Sequence, residues 1–515
     1  MNSWDDGYFT DSTYTFGYYR EISPAWQNFC LTANGYIVNE PDENSAHCEL
    51  GYGQGVSVNI HAAATPGKYF GTDFNPAHAA HANELLNASG ADAKFFDDSF
   101  EEMLHRDDLP KFDSISLHGI WSWISTENQN HIVEFARKFL KPGGVFYNSY
   151  NCYPGWSPAA PLRELFILFD KYARQNTREG GGTYNRIESA LKFTEELFNK
   201  NPAYFQRVPD VKNIFERAKK LNHDYLAHEY FNRDWICMYF SEVAEIMQNA
   251  KLNFACTAEI IESLEFFNFQ KDILDFLNKF ENPIMKEQIK DYFRSRQFRK
   301  DLYIRGARQI PHLERMKRLI NMNYILMKKD FPKAIKLSGG QINLPENIAE
   351  KIREHLSAEN YSFKNFVEFA KKNPAIQMND LTIALMLLIY GGIILPCQSE
   401  KNIQRVKIHC VNMNKYICNR AKTNDDVKFL SSPVLGWAYP LGRTERIFLS
   451  AVFEGKKYAG ELANYAWKIF SENGQRLVRD NKMVESAEEN ISMFKDMAQN
   501  FLNNDLPLLK NLQII

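Results

Sequence analysis

Short apolar or alternating runs recur between residues 46 and 151, at HCELG (47–51), KYFGTD (68–73), AKFFDD (93–98), FDSISLH (112–118) and GGVFYNSY (143–150). The stretches between them, 56–64, 77–88 and 128–140, read as helical. Strands alternating with helices predict an α/β domain, a parallel sheet wrapped by helices. Lys141-Pro142-Gly143-Gly144 stops the third helix, because proline has no amide hydrogen to donate and glycine tolerates positive φ.

From about residue 161 the pattern stays helical, without strand punctuation, as far as about 222. A strand-like YLAHEYF (225–231), a helix EVAEIMQNAK (242–251) and a strand LNFACTAEI (252–260) follow. The simplest organisation is a lid segment (1–45), then an α/β domain (46–262) holding a helical insertion (161–222). Residues 263–330 read as a helical middle region and 331–515 as a C-terminal α+β domain, winged-helix-like. Its apolar stretch IALMLLIYGGIIL (383–395) is broken by Gly391 and Gly392. It falls short of the roughly 20 residues a membrane span needs, so it predicts buried core and no membrane insertion.

A chain of 515 residues exceeds what one core usually supports, in keeping with several domains. A formal net charge of −2 argues against a general polyanion binder. The middle region carries a basic cluster (Arg294, Arg296, Arg299, Lys300, Arg305, Arg308, Arg315, Lys317 and Arg318), yet interleaved acids favour a solvated helical face. The eight cysteines form no CxxC pair, and the first residues, MNSWDDGYFTDSTYTFGYY, have no signal-peptide pattern. Reduced thiols and a cytoplasmic location are therefore expected.

AHCELGYGQGVS (46–57) packs three glycines into five residues after the first strand, so its backbone is built to approach a ligand. A phosphate loop needs a lysine after its glycines, and none is present. A dinucleotide loop needs a third glycine where Val56 stands. Glu49 would repel a pyrophosphate but suits a ligand carrying ammonium and sulfonium charges. S-adenosylmethionine (SAM) has both. Asp73 ends the second strand, where an acid commonly accepts from ribose hydroxyls, and Asp98 and Ser99 end the third, where they can meet adenine. Any one acid reads equally as an ordinary loop residue. Three at successive strand ends describe an adenosine pocket with a cationic tail. The histidines are dispersed and lack ligand spacing, so no metal is expected.

ELGYGQG, GTDFNPAHAAHA, DSF, FDSISLHGIWSWIS, LKPGGVFYNSYNCYPGW, YLAHEYFNRDW and RSRQFRKDLYIRGAR together resemble the bacterial class I SAM-dependent methyltransferases that carry a methyltransferase regulatory domain. That family includes lysine methyltransferases of outer-membrane and surface proteins. The resemblance covers most of the chain and implies a Rossmann-like sheet. It implies Glu49, Gly51 and Gly53 around the methionine part of SAM, Asp73 on the ribose, Phe74 against the adenine ring, and Asp98 with Ser99 on its edge. The usual cysteine of the loop is Tyr52 here, although the glycine spacing is kept.

Methyl transfer from a sulfonium is an in-line displacement that needs a neutral nucleophile. A lysine, with a pKa of about 10.4, pays about 4 kcal/mol to be neutral near pH 7, and an aromatic channel beside the sulfonium lowers that cost. Aromatics stand where such a channel forms: Tyr14, Phe16, Tyr18 and Tyr19 near the start, His118, Trp121 and Trp123 after the fourth strand, and Asn151, Tyr153 and Trp156 after the fifth. Each reads equally well as core packing or lid structure. Similarity to other methyltransferases puts Tyr14 or Tyr18 of the lid near the sulfonium. His118 follows the fourth strand, where catalytic residues of this fold often sit, and is expected at the cofactor, as a structural histidine or as the general base of an O-methyltransferase. The fourth strand reads LHGIW and lacks the [DNS]PP[YFW] motif of base-amine methylation, so nucleic acid is not expected as a substrate.

The leading expectation is protein lysine N-methylation. The alternatives are a small-molecule or glycan O-methyltransferase and a non-catalytic SAM-sensing regulator. The insertion and the C-terminal half offer surface for a homodimer interface or a substrate platform.

Overall fold

The computed structural model describes residues 15–173, 183–221, 226, 229–230, 232, 234–328, 330–337, 340–344, 346–357 and 363–515. The alternating segments build one seven-stranded sheet from β1 (Ala46–Leu50), β2 (Lys68–Thr72), β3 (Ala93–Phe96), β4 (Phe112–Leu117), β5 (Leu140–Asn151), β6 (Leu252–Thr257) and β7 (Phe298–Arg305). Their order is β3-β2-β1-β4-β5-β7-β6. The first five strands are parallel, and β7 runs antiparallel between β5 and β6. Helices α1 (Pro24–Ala33), α2 (Val56–Ala64), α3 (Pro76–Ser89), α4 (Phe100–His105) and α5 (Thr126–Phe139) accompany the parallel half. β5 begins at Leu140, directly where α5 ends, so the Pro-Gly-Gly stop falls inside the start of the strand.

Side chains on a strand alternate between faces, and this parity divides the core. Val145 and Tyr147 of β5, with Leu302 and Ile304 of β7, join a cluster that runs from α1 and α2 through the C-terminal half to Ile514. Phe146 and Tyr150, with Tyr303, join the opposite cluster with α4 and α5. The helical insertion has a core of its own, built on Leu162, Phe166, Ile187, Val211 and Phe215.

Several expectations change. Within the expected strand 225–231, residues 226, 229 and 230 are helical, and Leu226 and Tyr230 pack into the insertion core. Their four-residue spacing is that of a helix face, so the insertion reaches past 222. The expected boundary at 262 cuts the sheet, because β7 lies beyond it. The boundary at 330 cuts a second ladder, since Ile394–Cys397 pairs antiparallel with Asn323–Leu326. The expected lid includes α1, whose Trp26, Phe29 and Leu31 are core residues. Residues 331–515 combine hairpins such as Phe429–Ser432 with Trp437–Pro440 and helices such as Glu400–Arg420. The apolar stretch at 383–395 is buried as expected, mostly in the helix Met378–Tyr390. No helix among the described residues is long and apolar enough to cross a membrane.

The basic cluster is not one solvated helical face: Arg315, Lys317 and Arg318 share the helix His312–Asn321, but Arg299, Lys300 and Arg305 lie on β7. Arg299 points inward from β7, fully buried, and its guanidinium contacts Asp291 (2.6 Å), Asp301 (2.9 Å) and Glu287 (2.9 Å). Burial alone would lower its pKa, but Asp301 and Asp291 hold it protonated, well above its ordinary value. Tyr150 donates to Asp301 at 2.7 Å, and the guanidinium lies 4.2 Å over the Phe240 ring. Removing one partner from such a network strands the others. Arg299→Leu is expected to cost about 3–5 kcal/mol, read as a fall in the urea midpoint. An unchanged midpoint would show that β7 is held without this network.

Candidate active site

Strand order reverses between β1 and β4, and open α/β sheets bind ligands at the carboxyl ends of strands beside such a reversal. A cavity of about 380 Å³ lies there. The glycine loop follows β1, with Gly51, Gly53 and Gly55 at φ of 71°, 57° and 72°. A Cβ on Gly51 would stand 2.5 Å from Ile120 Cδ1, and one on Gly55 2.4 Å from Ala82 Cβ. These glycines are therefore required both by backbone conformation and by close approach.

Asp73 holds the loop. Its Oδ2 accepts from Gly53 N at 2.8 Å, and its Oδ1 accepts from Asn75 N at 3.1 Å and lies 2.9 Å from His78 Nδ1. Glu49, one strand over, is buried and lines the same cavity. Among the described residues it has no hydrogen-bond or ion-pair partner. Burial, and then the charge of Asp73, push its carboxyl well above the usual carboxylate range.

Phe74, Asp98 and Ser99 line the far end. Asp98 Oδ2 is paired with Arg106 Nη1 at 2.7 Å, while the guanidinium lies 3.9 Å over Phe96. Ser99 is the N-cap of α4, its Oγ accepting from Glu102 N as Glu102 accepts from Ser99 N. Its residue type thus has a local structural reason as well.

The segment before α1 contributes by alternation. Thr15, Gly17 and Tyr19 line the cavity. Phe16 turns to His81, and Tyr18 to the other side, its hydroxyl 3.1 Å from His61 Nε2 and accepting from Ala438 N at 2.8 Å. Tyr18 therefore does not reach the cavity, and Tyr19 takes that place. Tyr14 lies outside the described residues. The Tyr19 ring stacks on His118 with centroids 3.7 Å apart and planes at 21°. His118 Nδ1 lies 2.8 Å from the Tyr147 hydroxyl, and burial pushes its pKa down to about 3.

Further expected residues stand elsewhere, among them Trp156, whose ring packs on Trp235. Trp121 is fully buried in the core under α5 and lines no part of the cavity. Asn151 and Tyr153 leave β5 away from the cavity, where Asn151 N bonds Ser122 Oγ at 2.9 Å and the Tyr153 ring packs on Tyr239. The structure adds Ser57, whose hydroxyl accepts from Tyr19 N at 3.0 Å, and also His78, Glu127, Asn128, His131 and Asp234. Glu127 and His131 are four apart on α5, a readable helix face. Asp234 had no periodic signal.

Six carboxylate residues line the cavity (Glu49, Asp73, Asp98, Glu101, Glu127 and Asp234), and no Lys or Arg does among the described residues. Among those residues, no group of three or more His, Cys, Asp or Glu is arranged to hold a metal ion.

A methyltransferase domain family matches residues 48–146, and a methyltransferase regulatory domain family matches residues 222–305. An uncharacterized Synechocystis protein is 33% identical over 518 residues, spanning 99% of this chain and 100% of that one. An uncharacterized Rickettsia prowazekii protein is 26% identical over 268 residues, spanning 52% of this chain and 47% of that one. PKMT2 from Rickettsia typhi, solved in complex with AdoHcy, shares the fold over 96% of this chain and 99% of its own, with a TM-score of 0.67 at 17% identity. The chain belongs to the class I methyltransferases that carry a methyltransferase regulatory domain, and S-adenosylmethionine is its cofactor.

Proposed function

We propose that this methyltransferase modifies lysine side chains of a protein. The acidic cavity carries the reading: its carboxylates, with no lysine or arginine beside them among the described lining residues, attract a cationic cofactor and a cationic acceptor and repel phosphate-bearing ones. Glu49, Gly51 and Gly53 hold the methionine end of SAM, Asp73 its ribose, and Phe74, Asp98 and Ser99 its adenine. Asp73 acts twice in this scheme, because the carboxylate that meets the ribose also fixes Gly53. Tyr19, His118 and Trp123 form the wall past which the acceptor enters. The lysine arrives as an ammonium, drawn by the carboxylates. Desolvation by the aromatic wall and repulsion from the sulfonium promote loss of its proton to solvent. Nitrogen then attacks the methyl carbon in line as the carbon–sulfur bond breaks, leaving S-adenosylhomocysteine.

An O-methyltransferase using His118 as base is less well supported. A histidine with its pKa pushed down to about 3 is a weak proton acceptor. The name of PKMT2 and the whole-length likeness to it favour the lysine reading, but 17% identity carries fold alone.

Incubation with methyl-labelled SAM and an extract of bacterial proteins is expected to place label on protein lysines, located by mass spectrometry. Label confined to small molecules would overturn the lysine reading. The Glu49 carboxyl, pushed up by burial and then by the charge of Asp73, must ionise to meet the cation, so binding releases a proton where the acid is protonated. SAM affinity by calorimetry is therefore expected to rise with pH through that raised pKa and level off above it. Glu49→Gln is expected to weaken SAM by roughly tenfold and flatten this dependence. A wild-type affinity independent of pH would remove Glu49 from the cation site.

A further inference from the structure

Tyr153 does not face the cofactor cavity; it begins a row of three tyrosines. Its ring centroid lies 5.4 Å from that of Tyr239, which lies 6.4 Å from that of Tyr292 with planes 11° apart. Tyr292 is 58% exposed. Beside the row, the exposed Glu242 accepts a hydrogen bond from Tyr239 N at 2.6 Å. Among the described residues, no Lys or Arg forms a salt bridge with Glu242 or lies over these three rings. Tyrosine faces attract a cation held within about 6 Å, and a nearby carboxylate adds to that attraction. Two half-buried rings, the exposed Tyr292 and an exposed acid are suited to an ammonium group from outside.

The row is tied to the cofactor cavity by a short piece of chain. Asp234 lines the cavity and Tyr239 belongs to the row. Between them, Ile236 N donates to Ser122 O at 2.7 Å and Tyr153 N to Met238 O at 3.1 Å, while Met238 bridges in parallel to Cys152. These bonds fix the segment against the turn Trp121–Trp123 and the end of β5. The five residues from Asp234 to Tyr239 span at most about 17 Å. An extended substrate covers that reach in no more than the same number of residues. The Trp156–Trp235 pair, with centroids 5.2 Å apart, flanks the path.

We propose that Tyr153, Tyr239, Tyr292 and Glu242 form an outer site that holds one lysine side chain of a polypeptide while another, no more than about five residues away, enters the cofactor cavity. This rests on the lysine reading of the cavity. It makes the enzyme selective for closely spaced lysine pairs.

The test is binding of a labelled peptide to the full chain saturated with AdoHcy, read by fluorescence anisotropy. The peptides carry two lysines at separations up to about five residues, and each control has glutamine at the outer position, placed in turn on either side. The best two-lysine peptide is expected to bind roughly fivefold tighter than its better control, and Tyr292→Leu, a change at the surface, is expected to abolish that difference. Equal binding of the peptides to the wild type, or a difference that survives Tyr292→Leu and Glu242→Gln together, would overturn the outer site. The readout needs no turnover. A peptide that binds with the expected preference but accepts no methyl from SAM would refute the lysine reading and leave the outer cation site standing.

Discussion

Two carboxylates end neighbouring parallel strands at the centre of this molecule, and the protein satisfies only one of them. Asp73 takes Gly53 N, Asn75 N and His78, whereas Glu49 takes no partner among the described residues. A buried carboxylate without a donor is costly as an anion, and burial with the charge of Asp73 pushes the Glu49 carboxyl up. The satisfied acid builds the loop, and the proposed charge of what the loop holds rests on the unsatisfied one. The division explains why three glycines need not mean a phosphate. Positive φ, with close packing of Gly51 on Ile120 and Gly55 on Ala82, accounts for the glycines as geometry.

The first five strands were legible because each is a short apolar run between helices of readable period. β7 was not. FRKDLYIR carries Arg299 and Asp301 where a buried strand should be apolar, and only the fold shows that these charges satisfy each other and Asp291. A polar strand whose charges cancel internally looks, in sequence, like a solvated surface. The same gap placed a domain boundary at 262, while the regulatory family match runs to 305, the last residue of β7. Misreading one strand moved the end of the sheet by some forty residues.

The cavity lining was legible where strand ends set it, in Glu49, Gly51, Gly53, Asp73, Phe74, Asp98 and Ser99, all of which line the cavity. It was not legible where a side chain's direction decides. Tyr18 and Tyr19 are adjacent and both aromatic, and extended chain sends one to the cavity and the other to Ala438. Trp121 and Trp123 differ in the same way, one in the core and one in the wall. Residue type and place in the loop cannot choose between such neighbours. Contacts from hundreds of residues away do.

Those distant contacts bear on the cofactor loop itself. The carbonyls ending a helix lack partners within it, and at α2 the C-terminal half supplies them. Gln398 Nε2 donates to Ala64 O at 2.7 Å, and Cys410 Sγ to Ala63 O at 3.1 Å. Thr65 Oγ1 donates in turn to Gly436 O, which also receives Ser23 Oγ from the chain before α1. The helix that begins at Gly55 of the glycine loop is thus gripped at its far end by residues from 398 to 436. The hairpin that supplies Ala438 N to Tyr18 also sets the strand-like segment carrying Tyr19 over the cavity. Roof and floor of the cavity are both anchored in the C-terminal half, which is therefore built into the same structural unit and is not an appendage of it.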